Sequence, residues 1–269
     1  MPVRTSPAFI SDQMKKFGIH FKKKFGQNFL IDQNIVEKIV ESMDLNEEDH
    51  VLEVGPGLGS LTERLYERTK NLNVIEIDRD LAGILEEDFS GLQVINEDVL
   101  KVDPSRFPEG IKICGNLPYY ITSAIIMHFL ESELTFHSLT MMMQKEVAKR
   151  LVSTVGSKEY GVLTVITSML AEVDYLFDVK NTCFMPRPNV DSAVIRIRPK
   201  HVELPAELIT LIKRSFSKRR KTLQNNLSEH YDKESLEQAF LKAEVASHRR
   251  AETLSPEEFL KLHRELIQA

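Results

Sequence analysis

The sequence predicts an α/β fold with a mostly parallel sheet, followed by a small all-α domain. Three observations carry that expectation. From residue 32 to about 200, β-like apolar runs alternate with segments of helical spacing, the pattern of a sheet covered on both faces. The first strand-to-helix connection, "VLEVGPGLGSLTERL", is built around glycines. Past Pro199 only short helical patterns remain.

The elements follow in order. "IVEKIVESM" has helical spacing, "HVLEVG" is β-like, "SLTERLYERT" is helical and "NLNVIEID" returns to strand. After the helical "RDLAGILEEDF" come the strands "LQVINED" and "IKICGNLPYY", then the apolar helix "TSAIIMHFLES". "SLTMMMQ" reads as a strand whose methionines are core, and "KEVAKRLV" as a helix. "VDYLFDV" and "SAVIRIRP", separated by "FMPRPN", suit an antiparallel hairpin at a sheet edge. Beyond a boundary near "RPKHVELP", Leu208, Leu211, Ile212 and Phe216 share one helical face, as do Phe259, Leu262 and Leu266. "SPEE" at 255–258 is a helix start, with Ser255 as N-cap, Pro256 at the first position and Glu258 three residues on. The expected domains are therefore residues 1–200, including a basic arm over 1–30, and residues 201–269.

Composition narrows the function classes. At 42% hydrophobic and 28% charged residues the chain is an ordinary globular protein. No apolar run approaches the roughly 18 residues of a membrane span, and no secretory signal is expected. Cys114 and Cys183 form no C-x-x-C pair and are expected to be reduced, buried thiols of a cytoplasmic protein. No metal is expected. The net charge of −5 is unevenly spread: residues 1–30 carry +5, residues 31–200 carry −11 and residues 201–269 carry +1. "KRSFSKRRK" packs six basic residues into 213–221. An acidic body with two basic ends can hold a phosphate backbone at two places, although either cluster alone also reads as a solvated helix face.

Gly55, Gly57 and Gly59 let the backbone turn tightly beside a ligand at the carboxyl edge of the sheet. The spacing is G-x-G-x-G, where a dinucleotide site prefers G-x-G-x-x-G; the next position here is Ser60. Glu76 ends the second strand about 20 residues on, where an acidic residue accepts hydrogen bonds from ribose hydroxyls of either NAD or S-adenosylmethionine. Asp98, at the end of the third strand, can accept the adenine amine of such a cofactor or cap a helix. "NLPY" at 116–119 decides between the cofactors. Hydride transfer needs no such element, whereas attack by the exocyclic amine of adenine does. The Asn116 side-chain oxygen and the Leu117 carbonyl can accept both amine hydrogens, Pro118 stiffens the turn, and the Tyr119 ring offers a stacking face for an extruded base.

The blocks "KKFGQNFL", "EVGPGLGSLT", "VIEIDRDL", "NEDVL", "GNLPYYIT", "MMMQKEVAKRL", "FMPRPNVDSAVIRI" and "SKRRKTLQNNL" run through almost the whole chain. In content and order they resemble the ribosomal RNA adenine dimethyltransferases of the small-subunit, kasugamycin-sensitivity type. The resemblance implies a Rossmann-like class I methyltransferase with a seven-stranded sheet, S-adenosyl-L-methionine as cofactor, and a helical C-terminal domain that contacts RNA. The implied substrate is a pair of adjacent adenosines in the 3′-terminal hairpin loop of 16S rRNA, within the small (30S) subunit, met by a monomer. Carried over by position, cofactor contacts fall on Asn28, Leu30, Gly55, Gly57, Glu76, Asp98 and Asn116. The catalytic pocket falls on Asn116, Leu117, Pro118 and Tyr119, with Phe184 as a second ring, the lesser alternative for it being core packing beside the proline-rich turn. RNA contacts fall on Lys22, Lys23 and Lys24 and on Lys218, Arg219, Arg220 and Lys221. Many relatives read "NLPYN"; Tyr120 departs from that and is expected to alter only the pocket lining.

Three alternatives remain open to the sequence. A large-subunit rRNA methyltransferase of the antibiotic-resistance type shares fold and chemistry, but "FGQNFL", Leu117 and the basic C-terminal block favour the small-subunit reading. "NLPY" speaks against an NAD-dependent oxidoreductase. An intact glycine turn and "NLPY" speak against a non-catalytic assembly factor.

Overall fold

A computed structural model describes residues 3–18 and 27–268. The chain forms two compact units, residues 1–148 with 174–199 and residues 149–173 with 200–269. The first unit is organised by a seven-stranded sheet. Its strands are β2 (Val51–Val54), β3 (Leu72–Ile75), β4 (Gln93–Ile95), β5 (Lys112–Asn116), β6 (Ser138–Gln144), β7 (Ala171–Val179) and β9 (Ser192–Pro199), in the order β4-β3-β2-β5-β6-β9-β7. The pairings β2–β3, β3–β4, β2–β5 and β5–β6 are parallel, and β9 lies antiparallel against β6. All four residues of β2 are buried, as a central parallel strand requires.

The chain starts this sheet at β2, moves outward through β3 and β4, then returns to the other side of β2 as β5. That reversal makes a switch point between β2 and β5, and the crevice beyond their carboxyl ends is where such sheets hold ligands. Helices α2 (Gln33–Ser42), α3 (Ser60–Arg68), α4 (Arg79–Asp88) and α5 (Thr122–Leu130) accompany the strands. In α2 the buried Val36, Ile39 and Val40 share one face, and the Asp32 carboxylate accepts the Asn34 and Ile35 N–H groups at its start. An earlier helix, α1 (Pro7–Phe17), was not legible in the basic arm.

The expected edge hairpin is more elaborate in the structure. Between β7 and β9 the "FMPRPN" stretch contributes β8 (Phe184–Met185), which pairs antiparallel with β1 (Phe29–Leu30) in a separate two-stranded sheet. Cys114 is buried and free; Cys183, expected to be buried too, is only half-buried and donates to the Asp32 carboxylate at 3.4 Å.

The second unit differs from the expected 201–269 domain, because residues 149–173 group with it. That stretch contains all of α7 (Val162–Leu170) and the connection leading to it after α6 (Lys145–Leu151). The reason is packing: the Tyr160 ring lies 6.3 Å from Phe216, its hydroxyl donates to the Leu254 carbonyl, and the Gly156 N–H donates to the Glu252 carbonyl. Helices α8 (Ala206–Ser215), α9 (Leu223–Leu227), α10 (Lys233–Lys242) and α11 (Pro256–Gln268) complete the unit. Leu208, Leu211, Ile212, Phe259 and Leu262 are buried. At the start of α11, Ser255 Oγ accepts the Glu258 N–H while Glu258 Oε2 accepts the Ser255 N–H, the reciprocal cap written in "SPEE".

Candidate functional site

Val54 pairs with Gly115, so the chains leaving β2 and β5 depart the sheet side by side. A Cβ on Gly115 would stand 2.3 Å from the Val54 carbonyl oxygen, a distance no side chain tolerates. Beyond it, Gly55, Gly57 and Gly59 adopt φ of +70°, +61° and +83°, the left-handed region that favours glycine. Their turn, with the ends of β3 and β5, frames a cleft of about 1110 Å³ including its open mouth.

Ten of the eleven residues expected at the cofactor and target base line this cleft. Asn28, Leu30, Gly55, Gly57, Glu76 and Asp98 face it on the cofactor side, and Asn116, Leu117, Pro118 and Tyr119 complete it. Glu76 is buried, and its two oxygens accept the Asp78 and Gly57 N–H groups at 2.9 and 3.1 Å. Burial pushes its carboxyl up to about 7, with the Asp78 charge adding to the rise and the backbone donors opposing it. Asp98 caps a short 3₁₀ turn over Val99–Lys101 by accepting the Leu100 N–H at 3.1 Å, while lining the cleft.

Asn116 is set by its neighbour. Its Nδ2 donates to the Asn28 carbonyl at 3.0 Å. A carbonyl only accepts, so the amide orientation is fixed and Oδ1 is left as an acceptor. Leu117 is buried and anchored through its N–H to the Met142 carbonyl at 3.4 Å. The Pro118 carbonyl accepts the Thr122 hydroxyl at 3.1 Å, at the start of α5. The half-buried Tyr119 ring is held by a 2.7 Å hydrogen bond between its hydroxyl and Ser192 Oγ on β9.

Phe184 is the exception. It pairs opposite Leu30 across the β1–β8 ladder, is 3% exposed, and packs in the core with Val36, Ile39 and Val194. It does not line the cleft, so the core-packing role is the one the structure gives it. Besides Tyr119, the rings lining the cleft are Phe29 and Tyr120, the latter 68% exposed.

Among the cleft residues that escaped the sequence reading is a buried acid. Glu53, inside β2, is buried, and its Oε2 accepts the Thr62 hydroxyl at 2.6 Å. Burial pushes its carboxyl up to about 8, and the nearby Glu76 charge adds to the rise. An acid within the otherwise apolar "VLEV" was the available signal.

Lys218, Arg219, Arg220 and Lys221 occupy the loop between α8 and α9 and are exposed. Lys218 pairs with Glu229, and Arg219 donates to the Lys158 carbonyl. Lys22, Lys23 and Lys24 lie outside the described residues.

The family model described as "Ribosomal RNA adenine dimethylase" matches residues 18–268. "Ribosomal RNA small subunit methyltransferase A" of Chlorobium phaeobacteroides (strain BS1) is 46% identical, covering 94% of this chain and 97% of that protein. The protein of the same name from Bacillus mycoides (strain KBAB4) is 43% identical over 97% of each. A crystal structure of a dimethyladenosine transferase from Plasmodium falciparum superposes with a TM-score of 0.75 at 26% identity, covering 89% of this chain and 98% of that one. That of the 23S rRNA methyltransferase ErmE gives 0.66 at 33% identity, covering 90% and 100%. With its glycine turn and "NLPY" meeting in one cleft, the chain belongs to the ribosomal RNA adenine dimethylase family.

Proposed function

We propose that this protein is an S-adenosylmethionine-dependent dimethyltransferase acting on the N6 amines of two adjacent adenosines in the 3′-terminal hairpin loop of 16S rRNA. It works as a monomer in the cytoplasm, on the 30S subunit, during small-subunit biogenesis. The observation that carries the reading is the fixed Asn116 amide, whose Oδ1 is left as an acceptor in the cleft that also holds Glu76.

The donor set fits the cofactor. Glu76 keeps lone pairs beyond those used by the two backbone N–H groups, so it can accept ribose hydroxyls, and Asp98 can accept the adenine amine. Asn28, Leu30, Gly55 and Gly57 would hold the rest. Bound there, S-adenosylmethionine supplies an electrophilic methyl group on a sulfonium. Asn116 Oδ1 and the Leu117 carbonyl accept the two hydrogens of the target amine, which turns the nitrogen lone pair toward the methyl and stabilises the positive charge that grows on nitrogen. Tyr119 stacks on the extruded base, its ring pinned by Ser192. The amine becomes acidic only once alkylated, so its proton passes to water and no strong base is required. Lys218, Arg219, Arg220 and Lys221, with Lys22, Lys23 and Lys24, meet phosphates.

The likeness to a 23S rRNA methyltransferase favours one second reading, a large-subunit substrate. Labelled S-adenosylmethionine, supplied with 30S and 50S subunits from a strain lacking these modifications, separates the two. The expected label is N6,N6-dimethyladenosine in the 3′-terminal hairpin of 16S rRNA; label confined to 23S rRNA would overturn the assignment.

A further inference from the structure

We infer that Arg4 is a positioning residue for the cofactor cleft, holding the glycine turn in shape from outside it. The inference rests on the assignment of the cleft to S-adenosylmethionine. Residues 3–17 precede the span matched by the family model.

Arg4 is 9% exposed, and its guanidinium is engaged on every side. Nη1 donates to the Leu58 carbonyl at 2.9 Å, and Nη2 to Asp88 Oδ2 at 2.9 Å. Nε lies 3.6 Å from Glu63 Oε1. The guanidinium carbon stands 4.4 Å from the Phe89 ring centroid and 5.2 Å from that of Phe9. Leu58 is the residue between Gly57, whose N–H donates to Glu76, and Gly59, where an added Cβ would stand 3.4 Å from Arg4 Nη1.

The geometry explains why a cation is buried here. A turn of three left-handed glycines has more conformational freedom than any other stretch of the cleft. Fixing the Leu58 carbonyl pins the Leu58–Gly59 peptide, and so narrows the conformations open to the turn whose Gly57 N–H donates to Glu76. Asp88 and Glu63, on α4 and α3, compensate the charge and fix the fork relative to the two helices that flank the turn. Helix α1 keeps the arginine in place: Phe9 and Ile10 are buried with Phe29, Leu58, Leu81 and Ile84. A second tie runs from Gln27 Nε2 to Asp78 Oδ2 at 3.0 Å, beside Glu76. A lysine could satisfy a carboxylate or the carbonyl but lacks the planar fork that reaches both.

Arg4→Met keeps the apolar stem and removes the fork. The test combines calorimetric binding of S-adenosylhomocysteine, amide exchange over residues 55–60 without ligand, and turnover at saturating methyl donor. In the variant the dissociation constant should rise about tenfold, the size of one charge-assisted hydrogen bond expressed as affinity. The turn amides should exchange faster, and kcat should stay within about twofold. Methylguanidinium should partly restore binding to Arg4→Met, and Arg4→Lys, which keeps the charge, should fall between. Wild-type affinity and exchange in Arg4→Met, with only a lower melting temperature, would make Arg4 a structural staple and overturn the inference. A proportional loss of kcat at saturating donor would overturn it too. Failure of the wild-type protein to bind S-adenosylhomocysteine would instead refute the cofactor assignment, and the exchange measurement would still decide whether Arg4 holds the turn.

Discussion

In the cleft, Glu53, Glu76, Asn116 and Tyr119 each have a hydrogen-bond partner within 3.1 Å. In the basic loop between α8 and α9, Lys218 and Arg219 have single partners, and Arg220 and Lys221 have no side-chain partner among the described residues. The contrast fits the roles proposed above for the two regions. Orienting a lone pair requires dipoles that do not reorganise during the reaction. Attracting a phosphate chain requires only charge at roughly the right place, since the gain comes from released counterions. Side-chain hydrogen bonding is therefore denser in the cleft than in the loop.

Four experiments break or sharpen that contrast. The largest effect belongs to Asn116→Ala, which removes an oriented acceptor. Turnover should fall on the order of 10²–10³, as for loss of one preorganised hydrogen-bonding group, with circular dichroism and RNA binding unchanged and some loss of cofactor affinity. A variant retaining more than half the wild-type rate would mean the amine is held elsewhere.

Replacing Lys218, Arg219, Arg220 and Lys221 together with Ala should lower the slope of log K against log salt by roughly 3. Cofactor affinity should not change, and methylation should recover partly at low salt. Because Lys218 is paired with Glu229, its single substitution should contribute least of the four. An unchanged slope would make the loop a solvated surface.

Tyr119→Ala loses the stacking face and should reduce activity about tenfold to a hundredfold. Tyr119→Phe keeps the face but gives up the bond to Ser192, worth about 0.5–1.5 kcal/mol, so a loss of a few fold is expected. Equal damage from both changes would move the emphasis from the ring to the hydroxyl.

The smallest effect tests the buried acid. Glu53 is raised from 4.5 to about 8 in the folded protein, so between those values the folded state keeps a proton that the unfolded state has released. Its contribution to stability therefore falls as pH rises through that window, by about 1.4 kcal/mol per unit at most. Glu53→Gln cannot ionise and still offers an acceptor to Thr62. Its melting temperature should match wild type near pH 4.5 and exceed it by a few degrees at pH 8. Parallel melting curves across that range would show the carboxyl to be ionised throughout.

What was legible in the sequence was local. The glycine turn, Glu76 at a strand end and "NLPY" each announce themselves within a few residues, and the structure gathers them because β2, β3 and β5 are adjacent strands. What escaped depended on distant partners. Phe184 goes to the core because its two-residue strand pairs with Leu30, more than 150 positions earlier. Arg4 read as part of a basic arm, since nothing nearby shows that Asp88 and Leu58 enclose it. Helix α7 is rich in β-branched residues, whose intrinsic preference is for strands. It is helical where Thr164 accepts the Gly161 N–H, and Val165, Ile166, Met169 and Leu170 are buried.

Gly115 and Asn116 stand next to each other in "GNLPYY" yet carry different kinds of information. The Val54 carbonyl, 2.3 Å from where a Cβ would stand, leaves position 115 an alphabet of one letter whatever reaction the protein performs. Asn116 is under no such geometric compulsion; on the proposed mechanism its letter is dictated by the amine it would meet. A library randomised across this motif and screened for folding alone would return glycine at 115 and a mixture at 116, and only a screen for methylation would fix the second letter.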